Sequence, residues 1–126
     1  MSRPAWIVRE SEVPGYSPAN HSGTVNRRLI SPETVGSRHL EVLTGTIEKG
    51  KGALPHAHPG IEQVVYLLEG TAEVELEGER GVMEAGDCCF FPADKKHIFT
   101  VTSDTPARLL VIYSPPYEEN PDRVIR

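Results

Sequence analysis

"HAHPGIEQ", residues 56–63, sets two histidines one residue apart and follows them with an adjacent Glu and Gln. On an extended backbone, side chains i and i+2 share a face, so His56 and His58 can present both imidazoles to one ion. Neutral imidazoles suit first-row divalent metals such as Zn, Fe, Ni, Cu and Mn. Successive strand residues alternate between faces, so only one of Glu62 and Gln63 can turn toward the same ion. The residue that does decides whether the site carries a negative ligand.

Outward from this stretch the chain reads as short β-rich runs separated by turns. Expected strands are His39 to Ile47, Ile61 to Leu68, Thr71 to Leu76, Gly81 to Met83, Cys88 to Phe91, His97 to Thr102 and Arg108 to Tyr113. Between them stand turn-forming clusters such as Lys49-Gly50-Lys51-Gly52, Glu77-Gly78 and Pro92-Ala93-Asp94. No dozen residues hold a 3.6-residue apolar period, which leaves an all-β sandwich or barrel. A third histidine, His97, opens an apolar strand after "GDCCFFPADKK" (residues 86–96) and is the natural partner for the pair.

The bulk numbers narrow the function classes. A chain of 126 residues fits one domain with a real core. Its net charge is −5, and no basic cluster exceeds a pair, Arg27-Arg28 or Lys95-Lys96. That points away from nucleic acid and anionic membrane surfaces as partners. The first 25 residues carry no apolar signal segment, and no run approaches the ~20 apolar residues of a membrane span, so a cytoplasmic location is expected. Cys88 and Cys89 are adjacent and point to opposite faces of a strand, which suits small apolar packing rather than a disulfide or a shared metal. No nucleophile elbow, phosphate-cradling Gly loop or Cys-His pair is present.

We expect three segments within one structural domain. Residues 1–37 form a turn-rich arm with a single strand from Thr24 to Ile30, wrapping the barrel or crossing to a second subunit. Residues 38–115 form the barrel, and residues 116–126 an irregular surface extension.

The histidine spacing resembles that of the cupins, small barrels of jelly-roll (double-stranded β-helix) type that hold a metal inside. Their first motif, G-x5-H-x-H-x3 or x4-E-x6-G, is met by Gly50, His56, His58 and Gly70. Their second, G-x5-P-x-G-x2-H-x3-N, is met by Gly86, Pro92 and His97, with Asp94 in place of Gly and Val101 in place of Asn. The motifs span residues 50–101. Patterning alone leaves the fourth ligand open: Gln63 inward brings Val65 and Leu67 with it, whereas Glu62 inward brings Val64, Tyr66 and Leu68, and both sets are apolar. The motif spacing before Gly70 places the family's carboxylate position at Gln63. The resemblance therefore implies a divalent transition metal held by His56, His58, Gln63 and His97.

Three imidazoles and an amide leave the ion its full charge, which favours a Lewis acid over a redox centre. Some similar cupins with three His and one Gln rearrange or open sugar acids. The expected function is a metal-dependent enzyme of isomerase or lyase type acting on a small polar, possibly carboxylated metabolite. The rivals are an iron-dependent dioxygenase and a non-catalytic small-molecule binding module. Tyr113 and Tyr66 are the candidates for proton transfer. Phe90, Phe91 and Phe99 are expected in the barrel walls, and Lys49, Lys51, Lys95 and Lys96 near the mouth could guide an anion. His21 and His39 lack spacing partners; His21 reaches the site only if the arm folds over the mouth. Because both faces of residues 61–68 are apolar, the outer one is expected to be covered by the arm or by a second copy in a homodimer.

Overall fold

Among the described residues the alternating pattern folds into eight strands in two sheets. The computed structural model describes residues 3–19 and 21–126, and only the backbone of residue 53. The strands are β1 (His21–Ile30), β2 (Glu41–Ala53), β3 (Glu62–Glu69), β4 (Thr71–Leu76), β5 (Glu79–Glu84), β6 (Cys88–Phe91), β7 (His97–Val101) and β8 (Ala107–Ser114). One sheet has the order β1-β2-β8-β3-β6 and the other β5-β4-β7, with every pairing antiparallel.

Strand parity sets what faces inward. Leu43 and Ile47 of β2, Val65 and Leu67 of β3, and Leu109 and Val111 of β8 point into the space between the sheets, where Met83 of β5 and Val101 of β7 meet them. The turn from β3 to β4 runs through Gly70 at φ 97°, with Ala107 packed so close that a Cβ would lie 3.0 Å from its Cα. Only glycine meets both demands. Among the described residues no helix is long and apolar enough to cross a membrane.

Three features depart from the sequence expectations. First, β2 continues through Lys49-Gly50-Lys51-Gly52, which the sequence marks as a turn, because Ser22 and His21 pair with Gly52 and Ala53 after a break in the ladder. Second, the N-terminal segment is more than an arm: β1 begins at His21 and is an edge strand of the larger sheet, paired with β2 of its own chain. A four-residue helix, α1 (Pro32–Val35), follows it, capped by Ser31 and Thr34.

Third, the C-terminal segment is packed rather than a surface extension. Glu41, 1% exposed, accepts Tyr117 N–H and Glu118 N–H through Oε1, while its Oε2 accepts from Arg28 Nε at 2.9 Å. A buried carboxylate is costly unless such donors meet it. Ile125 then bridges Ala57 with two 2.7 Å backbone hydrogen bonds, carrying the tail to the histidine segment.

Candidate metal centre

His56 and His58 follow the C-terminal end of β2 on a short segment that is bridged to β7. His56 N–H donates to His97 O at 3.1 Å and His97 N–H to His56 O at 2.9 Å, so the two motifs are hydrogen-bonded to each other. This brings the rings within centroid distances of 4.9 Å (His56–His58), 4.5 Å (His56–His97) and 5.6 Å (His58–His97). One ring nitrogen from each lies within 4.8 Å of the others, and all three residues are buried.

The second ring nitrogen of each histidine fixes its tautomer. His56 Nδ1 bonds Leu54 O at 2.7 Å, His58 Nδ1 bonds Arg123 O at 3.0 Å, and His97 Nδ1 bonds Lys95 O at 3.2 Å. A carbonyl can only accept, so each Nδ1 carries the proton and each Nε2 keeps a lone pair. Burial pulls the imidazoles to low pKa, to about 4 at His58 and about 3 at His97, and lowers His56 as well. They are neutral at physiological pH, the state a metal requires.

Gln63 lines the same cavity as His56 and His97. It is buried on β3 between Phe91 of β6 and Tyr113 of β8, with Val65 and Leu67 on the same face, while Glu62 is exposed. His58 Nε2, His97 Nε2 and Gln63 Oε1 are buried with no hydrogen-bond partner among the described residues. Buried polar atoms are rarely left so, and each costs about 1–3 kcal/mol. Unmet lone pairs on clustered imidazoles are what a divalent cation would satisfy, so the histidines fit a metal, and the unmet amide oxygen of Gln63 is a donor of suitable chemistry.

The surroundings hold the donors in place. Phe91 stacks on His97 at 4.1 Å and 7°, Tyr113 meets His58 edge-on at 5.4 Å, and Tyr117 lies 4.4 Å from His58. Asp94, standing at the family's glycine position, adopts φ 69°, a left-handed conformation that Asp tolerates. Its carboxylate accepts Gly60 N–H at 3.1 Å and its own N–H donates to His58 O at 3.1 Å, tying the two motif turns together. Val101, at the family's Asn position, is core.

A cavity of about 60 Å³ opens beside His56 and His97, lined by His21, Asn26, Gln63 and Tyr113 together with apolar residues that include Phe99. Burial holds the Tyr113 hydroxyl well above its usual pKa, so it keeps its proton. Tyr66 is not brought to the site: it lies on the outer face of β3, 38% exposed. Phe90 is likewise outside, at 49%. Lys49, Lys51, Lys95 and Lys96 are exposed, and Lys49 is paired with Asp104. Cys88 faces outward and Cys89 packs on the core with its thiol pushed up by burial to about 11; both are free. His39 is exposed, but His21 lines the cavity with its ring 6.2 Å from that of His56.

A two-sheet antiparallel barrel with three inward imidazoles able to hold a metal is a recognisable class of protein. Residues 43–113 match the cupin domain, and the chain belongs to that family. The polyketide synthase protein CurC of Streptomyces cyaneus is 32% identical over 107 residues, spanning 85% of this chain and 70% of CurC. Among solved structures, KdgF from a Halomonas species superposes with a TM-score of 0.77 at 20% identity, covering 89% of this chain and 96% of KdgF. The polyketide cyclase RemF of Streptomyces resistomycificus superposes at 0.73 and 24% identity, covering 92% of this chain and 82% of RemF. Both structures are similar to this chain in fold.

Proposed function

We propose that the chain is a metal-dependent enzyme that acts by Lewis-acid catalysis on a small carbonyl- or carboxylate-bearing metabolite, with isomerase- or lyase-type chemistry. The observation that carries this reading is the set of unmet lone pairs on His58, His97 and Gln63, next to His56. A divalent transition metal held there would polarise a substrate oxygen. His56, His58 and His97 would hold it through Nε2, and Gln63 would add a neutral oxygen. Without a carboxylate among the donors, the +2 state is favoured over a higher one, which sets this reading above an iron-dependent dioxygenase. Tyr113, held protonated by burial, serves as a hydrogen-bond donor or acid rather than a base. The apolar wall around the cavity excludes water and strengthens each of these interactions. The similarity to CurC, a polyketide synthase protein, and to RemF, a polyketide cyclase, favours a carbonyl-rich polyketide intermediate as the substrate class.

As part of the same proposal the protein acts in the cytoplasm, and a second copy covers the exposed Tyr66, Leu68 and Phe90 on β3 and β6. Cell fractionation tests the first. Sedimentation of the parent beside Phe90→Ser tests the second, a parent that stays monomeric at all concentrations being the negative result.

Elemental analysis of the untagged protein, with His97→Ala, Gln63→Ala and Glu62→Ala beside it, tests the metal site. A stoichiometric transition metal that falls with His97 and Gln63 but not with Glu62 is the expected outcome. Loss with Glu62 would sink the neutral donor set and put oxygen chemistry first. A parent without metal would leave a non-catalytic binding module as the better reading.

A further inference from the structure

His21 belongs to neither family motif, yet the backbone is built to aim it at the histidine cluster. In β1 the buried side chains Thr24 and Asn26 face inward, so simple alternation would send Ser22 in and His21 out. The ladder breaks between Ser22 and Thr24, with Gly23 at φ 55° and left unpaired. Opposite it β2 makes the longer excursion, residues 48–51, and the left-handed turn at Gly23 takes β1 out of strict alternation. Ser22 is therefore exposed and His21 turns into the cavity, among His56, Gln63, His97 and Tyr113. Its Nδ1 is buried without a hydrogen-bond partner among the described residues. A histidine serving only to pack would be expected to bond a neighbouring carbonyl, as His56, His58 and His97 all do. His21 also stands outside the cluster whose nitrogens approach within 4.8 Å of one another, so it is not a fourth ligand as the rings lie.

We propose that His21 is a substrate-positioning residue, donating a hydrogen bond from Nδ1–H to the oxygen of a ligand bound in the cavity beside the three-histidine group. This rests on the metal reading above and deepens it. A carbonyl or carboxylate oxygen offers only lone pairs, so it needs a donor on the side away from the metal, and the Nδ1–H tautomer supplies one. The Gly23 bulge gives this donor a fixed direction, and the N-terminal segment thereby becomes part of the binding site.

The test uses the Co(II)-loaded protein and azide as the probe, a triatomic anion small enough for the cavity. Co(II) and azide are titrated by visible spectroscopy into the parent, His21→Ala and His21→Asn, the last able to return an N–H donor near the same place. The expected result is Co(II) affinity within about threefold of the parent in both variants. Azide binding should weaken about tenfold in His21→Ala, as for loss of one hydrogen bond, and largely recover in His21→Asn. Unchanged azide binding in His21→Ala would overturn the proposal while leaving the metal reading in place. A tenfold or greater fall in Co(II) affinity in both variants would overturn it in favour of ligation. A parent that binds no Co(II) would overturn the metal reading and this one with it.

Discussion

The two faces of β3 each break the usual distribution of polarity at different positions. The inner face begins with a buried amide, Gln63, whose oxygen is unmet, before Val65 and Leu67. The outer face leaves Tyr66 and Leu68 substantially exposed beside Phe90 of β6. Ordinary folding would bury the second set and expose the amide. Each face therefore departs from the rule in its own way: the inner buries an amide oxygen with no hydrogen-bond partner among the described residues, and the outer leaves large apolar side chains exposed. The contrast teaches that one strand can depart from the burial rule on both faces, and functional positions are where such departures are expected.

The comparison can be broken most directly at its apolar end. Leu67→Ala, at a fully buried position, should cost about 2–5 kcal/mol. Leu68→Ala, one residue away and 40% exposed, should stay within about 0.5 kcal/mol in dilute monomer. Urea unfolding of both variants measures this, and equal costs would mean the strand's register is misplaced. A sharper probe is Gln63→Met, which conserves volume and removes the orphaned oxygen. With chelator present it should gain about 1–3 kcal/mol; destabilisation would show that Gln63 is satisfied within the protein.

Acidification separates the faces more gently. Burial holds His58 at about 4 and His97 at about 3, against 6.5 for a free imidazole. Between these values the unfolded chain binds protons that the folded chain does not, so stability of the metal-free protein falls as pH drops below about 6.5. Above that value the histidines contribute no slope. Glu119, whose carboxyl burial raises, works in the opposite direction and offsets part of the loss. Unfolding midpoints in chelator at about pH 7 and about pH 5 should differ in that sense; identical midpoints would contradict buried, neutral imidazoles.

Much of the site was legible because it rests on spacing. His56, His58 and His97 come together as read, and the interval to Gly70 turns Gln63 rather than Glu62 inward. The same parity already excludes Tyr66, which stands three residues from Gln63 and so on the opposite face; only Tyr113 could have served. His21 escaped because Gly23 reads as an ordinary turn former, and nothing in composition says that a bulge will reverse the strand's faces there. The tail escaped for a different reason. Its contribution to His58 is a backbone carbonyl, and a carbonyl has no signature in sequence.

That carbonyl, on Arg123, also bears on the order in which the site is assembled. His58 and Arg123 are separated by 65 positions, and the bond between them is what locks the ring. During synthesis the three histidines emerge well before residue 123, so for some seconds at ~5–20 residues per second the first motif exists without its lock. Until that bond forms, nothing from the tail fixes which ring nitrogen of His58 carries the proton. A metal captured early would meet a looser, less selective set of donors than the finished barrel offers. Docking of the tail therefore completes the geometry of the histidine cluster, which is finished only when the C-terminal segment is in place.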